Sequence, residues 1–407
     1  MDKKPVYLVM VTGDSNHNKY YRMLANDDTS FTVEYGRVGA SCQTRTYPMY
    51  QWDKKYNEKI RKGYVDQTHL VEDLIAVQKP KKSKNEYREI EDRAMAEIVE
   101  RLMNMAKKKV QQNYKVASNQ VTLAMVDEAQ KVINKLVTDP TVEEFNNDLL
   151  KLFTVIPRKM SNVKEYLALT TNDFERIIKD EQDLLDVMRG QVVTHVAEED
   201  SSEEDNSPVR NETILEAMGI VIEPVDDSEI ELIKSKLGDC SDKFYQAWRV
   251  TNLKTQKRFD DFVDKENIKD CRLFWHGSRN ENWWSIINTG LVLRPTNAVI
   301  TGKMFGYGIY YAPKARKSLG YTSLQGSYWA RGNSNSAFMA LMNVAYGKPY
   351  NVYSFDGKYY NFDYSRLQKE SSGSNCLHAH AGNMLRNDEI IVYKEDQSTI
   401  KYLVELR

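Results

Sequence analysis

Long apolar runs are missing from this 407-residue sequence, and no stretch approaches the roughly 20 residues a membrane-spanning helix needs. The start, Met1-Asp2-Lys3-Lys4, leads into a short strand-like run without a signal-peptide cleavage pattern. A soluble, intracellular protein with no membrane partner is expected. Cysteine is scarce: Cys42, Cys240, Cys271 and Cys376 lie far apart with no CxxC pair, which argues against a zinc site and against a disulfide framework. Metal is not expected. Net charge is nearly absent as well, with 57 Lys and Arg against 58 Asp and Glu, so any electrostatic argument for a partner must be regional. Glycine is absent from Asn85 to Arg189, where apolar residues recur at helical spacing, as at Ile90, Ala94, Ile98, Leu102 and Met105. The length suffices for two or three domains.

What is present divides into blocks. Residues 1–80 predict a small antiparallel sheet, with strands at Val6 to Val11, Lys19 to Met23, Phe31 to Tyr35 and Gln43 to Tyr47, followed by a helix near Trp52 to Lys62. Residues 1–84 hold 15 Lys and Arg against 10 Asp and Glu, an excess that suits phosphate binding or a plain solvated face. Lys79 to Lys84 is a charged, proline-broken linker or a weak nuclear-import tract. Residues 85–195 predict a helical bundle. Residues 196–210 are acidic, with six carboxylates and no basic residue from Val196 to Pro208, and predict a linker. Residues 211–407 mix strands with a few helices, giving a multidomain α+β protein overall.

The most informative stretch runs from Leu273 to Tyr321. Leu273-Phe274-Trp275 predicts a strand that delivers His276-Gly277-Ser278 at its end. Downstream, Met304-Phe305-Gly306-Tyr307-Gly308-Ile309-Tyr310-Tyr311-Ala312 sets glycines among aromatics, as suits close approach of backbone to a flat ligand. Lys317, Ser318 and Tyr321 are expected on the following helix. Late in the chain, Asn387-Asp388-Glu389-Ile390-Ile391-Val392-Tyr393 predicts a strand that begins with an acidic pair.

This ordered set resembles the catalytic signature of the poly(ADP-ribose) polymerase family, whose His-Tyr-Glu triad would be His276, Tyr310 and Glu389. The resemblance extends to the rest of the chain. Residues 1–80 resemble a WGR domain, with Tyr35-Gly36-Arg37 in place of the signature tripeptide. Residues 85–195 resemble the helical regulatory domain, most clearly at Leu152-Phe153-Thr154-Val155-Ile156-Pro157 and Asp183-Leu184-Leu185-Asp186. The sequence departs from the family pattern at Val292, Lys303 and Pro313.

The resemblance implies NAD as substrate, with no metal. In that chemistry the nicotinamide leaves as a neutral group and the ribose becomes oxocarbenium-like. Gly277 would grip the carboxamide through its backbone, and Ser318 would add a hydrogen bond. Tyr310 and Tyr321 would sandwich the ring, and His276 would hold a ribose hydroxyl. Glu389 would face the developing cation with Lys317 beside it. Ser278, Asn282, Gly308, Tyr311 and Ala312 complete the implied NAD-binding set. The resemblance further implies DNA with strand breaks as a partner, through Tyr35 and Arg37, and protein acceptors, the chain itself included. Asp186 would regulate. The serines of the acidic stretch are acceptors or merely part of a solvated connector. A mono-ADP-ribosyltransferase and a non-catalytic DNA-end scaffold are the rival functions. The expected location is the nucleus in a eukaryote, or cytoplasm and nucleoid in a bacterium.

Overall fold

The computed structural model describes residues 3–71, 87–114, 121–136, 138, 141–200, 211–293, 304–383 and 385–407, without the side chains of 195–200. The expected linker at 79–84, most of the acidic stretch, and Lys303 lie outside the described residues. The chain forms two compact units, one of residues 1–84 and 107–195, the other of 85–106 and 196–407.

The first unit opens with an antiparallel sheet of β1 (Val6–Thr12), β2 (His17–Ala25), β3 (Ser30–Arg37), β4 (Gln43–Pro48) and β5 (Val65–Asp66), in the order β4-β3-β2-β1-β5. Alternation explains its faces. Tyr21 and Met23 of β2 join Phe31 and Val33 of β3 in one apolar cluster with Leu8 and Trp52. Asp27 closes the β2–β3 hairpin, its Oδ1 accepting the backbone N–H of Thr29 and Ser30. Helix α1 (Trp52–Arg61) is seated by Trp52, whose ring meets Phe31 edge-on at 5.0 Å.

Four longer helices follow: α2 (Arg93–Asn113), α3 (Leu123–Leu136), α4 (Val142–Val155) and α5 (Phe174–Asp200). The start of α4 is capped by Thr141, whose hydroxyl accepts the N–H of Glu144. Phe145 of α4 stacks on Phe174 of α5 with ring centroids 3.9 Å apart. Between them, buried Arg158 donates to buried Glu181 at 2.7 Å. The linker expected from Val196 differs from the structure at its first residues, because α5 continues through Asp200. Helical spacing outlasts the apolar stripe there.

The second unit begins with residues of α2. Arg101 makes a two-pronged ion pair with Glu405, at 3.0 and 2.9 Å, and Glu405 is fully buried. Beyond residue 210 come α6 (Ile214–Met218), β6 (Ile220–Pro224), α7 (Asp227–Leu237), β7 (Phe244–Asn252), α8 (Leu253–Lys265), β8 (Cys271–Gly277) and α9 (Trp283–Thr289). They continue with β9 (Ile309–Tyr311), α10 (Ala315–Leu319), β10 (Ala337–Ala345), β11 (Pro349–Val352), α11 (Tyr364–Glu370), β12 (Cys376–Ala379), β13 (Glu389–Val392) and β14 (Ser398–Leu406). One sheet has the order β6-β7-β14-β10-β8 and the other β11-β12-β13-β9. The interior strands β10 and β13 are almost wholly buried, which suits their largely apolar sequences.

The two sheets meet through backbone. Trp275 and Ala312 exchange both N–H···O=C bonds at 2.9 Å, tying the end of β8 to the residue after β9. The α+β architecture expected from the sequence is the one observed. No helix among the described residues is long and apolar enough to cross a membrane.

Candidate active site

The Trp275–Ala312 junction brings the ends of β8, β9 and β13 together, and with them the three residues singled out in sequence. His276 sits on β8 opposite Ala340, Tyr310 on β9 opposite Ile391, and Glu389 opens β13 opposite Ala379. The Nδ1 of His276 lies 3.1 Å from the carbonyl oxygen of Tyr310. A carbonyl can only accept, so this nitrogen carries the proton and the tautomer is fixed.

Tyr310 is nearly buried, and its hydroxyl is held from both sides. It donates to the Gly306 carbonyl and accepts the Phe305 N–H, each at 3.0 Å. Burial, above all, pushes this phenol well above the ordinary tyrosine range. Tyr310 therefore fixes the Phe305–Gly306 turn as well as presenting a ring. Gly306 itself has φ +71° and packs so tightly on Phe362 that a Cβ would fall 2.1 Å from its carbonyl oxygen.

Glu389 has an unequal pair of oxygens. Oε1 meets the Lys317 ammonium at 2.5 Å, while Oε2 is buried with no hydrogen-bond partner among the described residues. Burial raises its pKa, and the nearby ammonium only partly counters this. A buried carboxylate oxygen without a donor fits a site that receives a ligand hydroxyl or a positive charge. This oxygen is where the residues fit the NAD expected from the sequence.

Gly277 follows directly from its surroundings. A Cβ there would lie 2.0 Å from the Ser318 carbonyl oxygen, so only glycine lets the end of β8 lie against α10. The Ser318 hydroxyl donates to the Trp275 carbonyl at 3.0 Å, which leaves its oxygen lone pairs as the means of meeting a ligand. Tyr321 was expected on the helix with Lys317 and Ser318. The helix instead stops at Leu319, and Tyr321 stands in the turn beyond Gly320. There its ring stacks on Trp329, centroids 6.1 Å apart, and burial together with Glu389 pushes its hydroxyl up to about 12. Trp329 was not singled out in the sequence, since seven residues of irregular chain separate it from Tyr321.

The remaining expected NAD contacts separate into two groups. Ser278 and Asn282 meet each other, Asn282 Nδ2 donating to Ser278 Oγ at 3.0 Å, and Asn282 Oδ1 is buried without a partner among the described residues. Tyr311 and Ala312, in contrast, are core residues. Tyr311 is 2% exposed and donates its hydroxyl to Ser398 at 2.6 Å, and the backbone of Ala312 is taken up by Trp275. Gly308 is required for packing, because a Cβ would fall 2.1 Å from the Ile391 side chain.

In the first unit, Tyr35 packs obliquely against Tyr21. Arg37 turns inward from the end of β3: its guanidinium donates to the carbonyls of Asn16, Met160 and Ser161 at 2.9 to 3.0 Å and to Asn16 Oδ1 at 3.1 Å. Asp186 lies on α5, where Oδ1 accepts from Gln182 at 2.8 Å.

A mixed two-sheet domain with a histidine, a tyrosine and a lysine-paired glutamate at its strand ends defines a class of transferase. The comparisons agree with that class. Residues 228–407 match the poly(ADP-ribose) polymerase catalytic domain and residues 4–71 match the WGR domain. A putative poly [ADP-ribose] polymerase-like protein, 100L, of Invertebrate iridescent virus 6 is 33% identical over 186 residues, covering 44% of this chain and 94% of that protein. Protein 101L of the same virus is 34% identical over 194 residues, 47% of this chain and 79% of its own length. Poly [ADP-ribose] polymerase 2 of Zea mays is 23% identical over 462 aligned positions, 97% of this chain and 68% of that protein. The chain belongs to the poly(ADP-ribose) polymerase family, and its catalytic domain is that of an ADP-ribosyltransferase with NAD as substrate.

Proposed function

We propose that this protein is a DNA-break-stimulated poly(ADP-ribose) polymerase, transferring ADP-ribose from NAD to protein acceptors, itself included, and to growing ADP-ribose chains. The observation that carries this reading is the buried Glu389 carboxylate, with one oxygen on Lys317 and the other without a donor among the described residues. An ionised carboxylate there can do two jobs. It can stabilise the ribose cation as nicotinamide departs, and it can orient the hydroxyl of an incoming ADP-ribose so that the chain grows. His276, its tautomer fixed by Tyr310, would hold a ribose hydroxyl. Tyr310 and Tyr321 would flank the nicotinamide ring, and Gly277 and Ser318 would hold its carboxamide.

Stimulation by DNA is proposed from the WGR match and the basic excess of residues 1–84, with Tyr35 and Arg37 as the candidate contacts once Arg37 leaves its internal partners. Residues 85–195, with Asp186, are proposed to restrain the catalytic domain until DNA binds. The proposed place of action is wherever broken DNA is found, the nucleus of a eukaryote or the nucleoid of a bacterium. One experiment tests the whole reading: purified protein with labelled NAD, with and without nicked DNA, resolved on a gel. A DNA-dependent ladder of long products is expected. A single discrete band would identify a mono-transferase, and absence of nicotinamide release would reject catalysis.

A further inference from the structure

Beside the catalytic elements lies a second cluster that the mechanism does not use. His378 on β12, His380 one residue past its end, and Asp388 just before β13 bring one ligand atom each within 4.8 Å of one another. The alternation of a strand puts positions 378 and 380 on one face, and their imidazoles stack with centroids 3.9 Å apart. Nε2 of His378 is 2.9 Å, and Nδ1 of His380 is 3.6 Å, from Oδ2 of Asp388.

The outward-facing atom of each residue is also held. Nδ1 of His378 is 2.8 Å from the Tyr346 hydroxyl, Nε2 of His380 is 2.8 Å from Asn351 Oδ1, and Asp388 Oδ1 accepts the Ala381 N–H at 2.8 Å. Outer partners of this kind orient metal-binding imidazoles and carboxylates. An amide oxygen only accepts, so the bond to Asn351 places the proton of His380 on Nε2. In the neutral ring, Nδ1 then presents a lone pair to a carboxylate oxygen 3.6 Å away, beyond hydrogen-bonding distance. Lone pairs of a nitrogen and a carboxylate face one another favourably across a cation. Ligand atoms around a tetrahedral zinc stand about 3.3 Å apart, within the span this cluster already shows.

We propose that His378, His380 and Asp388 form a binding site for a single divalent transition-metal ion, zinc in particular, through Nε2, Nδ1 and Oδ2, with solvent in the remaining position. Two imidazoles and one carboxylate suit zinc better than magnesium or calcium, which prefer all-oxygen shells. The ion clamps the end of β12 to the residue that precedes Glu389, in two strands already paired at Ala379 and Glu389. Its role is to fix the strand that carries Glu389. Cysteine spacing had argued against any zinc site; His378, His380 and the more distant Asp388 come together only in the fold.

The test uses the full chain, free of any polyhistidine tag and stripped with a chelator. Cobalt(II) is titrated while its visible ligand-field bands are followed, and zinc uptake is measured by calorimetry. One equivalent of cobalt per chain with tetrahedral-type bands is expected, displaced by zinc. His380→Ala and Asp388→Asn should weaken binding at least about tenfold, and Asn351→Ala, which removes only an outer partner, by about 10- to 100-fold. His69→Ala, at an exposed histidine elsewhere, should bind as wild type does. The absence of a stoichiometric cobalt spectrum in wild type would overturn the proposal, as would unchanged affinity in His380→Ala and Asp388→Asn. Should either of these variants fail to fold by circular dichroism, Asn351→Ala decides. The readout is the bound metal itself, so it stands apart from any result on transferase activity.

Discussion

The Lys317 ammonium is held 2.5 Å from one oxygen of Glu389, and the other oxygen of that carboxylate is buried without a donor among the described residues. Burial and the lysine act on the same carboxylate in opposite directions, and burial prevails. The residue is thus kept closer to protonation than a surface glutamate. Its ionised form depends on Lys317.

Lys317→Met is therefore expected to raise the Glu389 pKa further. If the ionised carboxylate is the active form, the acid limb of the kcat/KM profile should move to higher pH, with about a tenfold loss for each unit of displacement at pH values on that limb. An acid limb that stays in place would separate Lys317 from the function of Glu389.

Glu389→Gln keeps size and removes charge. Polymer length on a gel should collapse while some single transfer or NAD hydrolysis remains. Stability gives a second readout. The folded-state pKa of Glu389 lies above its unfolded value near 4.5, so its contribution is fully present below that value and is lost as pH rises through the folded pKa. Glutamine has no such loss. Melting temperatures should show Glu389→Gln gaining on wild type as pH increases.

Gly277→Ala would force a methyl group to within 2.0 Å of the Ser318 carbonyl oxygen. The end of β8 and α10 must separate, at a cost of about 1–3 kcal/mol typical of overpacking. NAD turnover should fall more steeply than the melting temperature suggests, because the displaced backbone is the one that presents His276.

Arg158→Met tests the first unit. Arg158 and Glu181 are both buried, and the Glu181 carboxyl is already raised by burial. Without its partner the carboxylate is uncompensated, and a loss of about 3–5 kcal/mol is expected in denaturant titrations. The sign of the pH dependence follows from the raised folded pKa, which the substitution raises further. The deficit should be smallest in acid, where Glu181 is protonated, and should grow toward alkaline pH.

Arg37→Ala removes donors from the carbonyls of Asn16, Met160 and Ser161. Loss of about 1–3 kcal/mol from the first unit is expected for hydrogen bonds from a charged donor. Wild-type stability in this variant would show that those bonds contribute little.

Local signals carried much of this structure. The first four strands, β8 and β13 were legible from alternation and glycine punctuation, and so was the ordered set His276, Tyr310 and Glu389, whereas the short strands β5, β6 and β12 were not. Relationships set by the tertiary fold were not. Arg37 and its partners at Met160 and Ser161 are more than a hundred residues apart, and so are Arg101 and Glu405. No pattern within a short window can join them. Tyr321 was misplaced by two residues because the helix before it has only five residues and ends at Gly320, a stop signal that the motif carried the reading past. Tyr311 and Ala312 sit inside the most recognisable motif of the chain, yet their side chains fill core. A motif marks a backbone path, and only some of its side chains turn toward the ligand.

The exchange between Trp275 and Ala312 is made by peptide groups, which every amino acid except proline supplies in full. Heritable variation changes side chains and leaves such a bond in place. The seam that sets the spacing of His276, Tyr310 and Glu389 is therefore shielded from sequence drift, while the surrounding loops remain open to it. A lineage can rewrite what the site recognises without rebuilding the frame in which the reaction occurs.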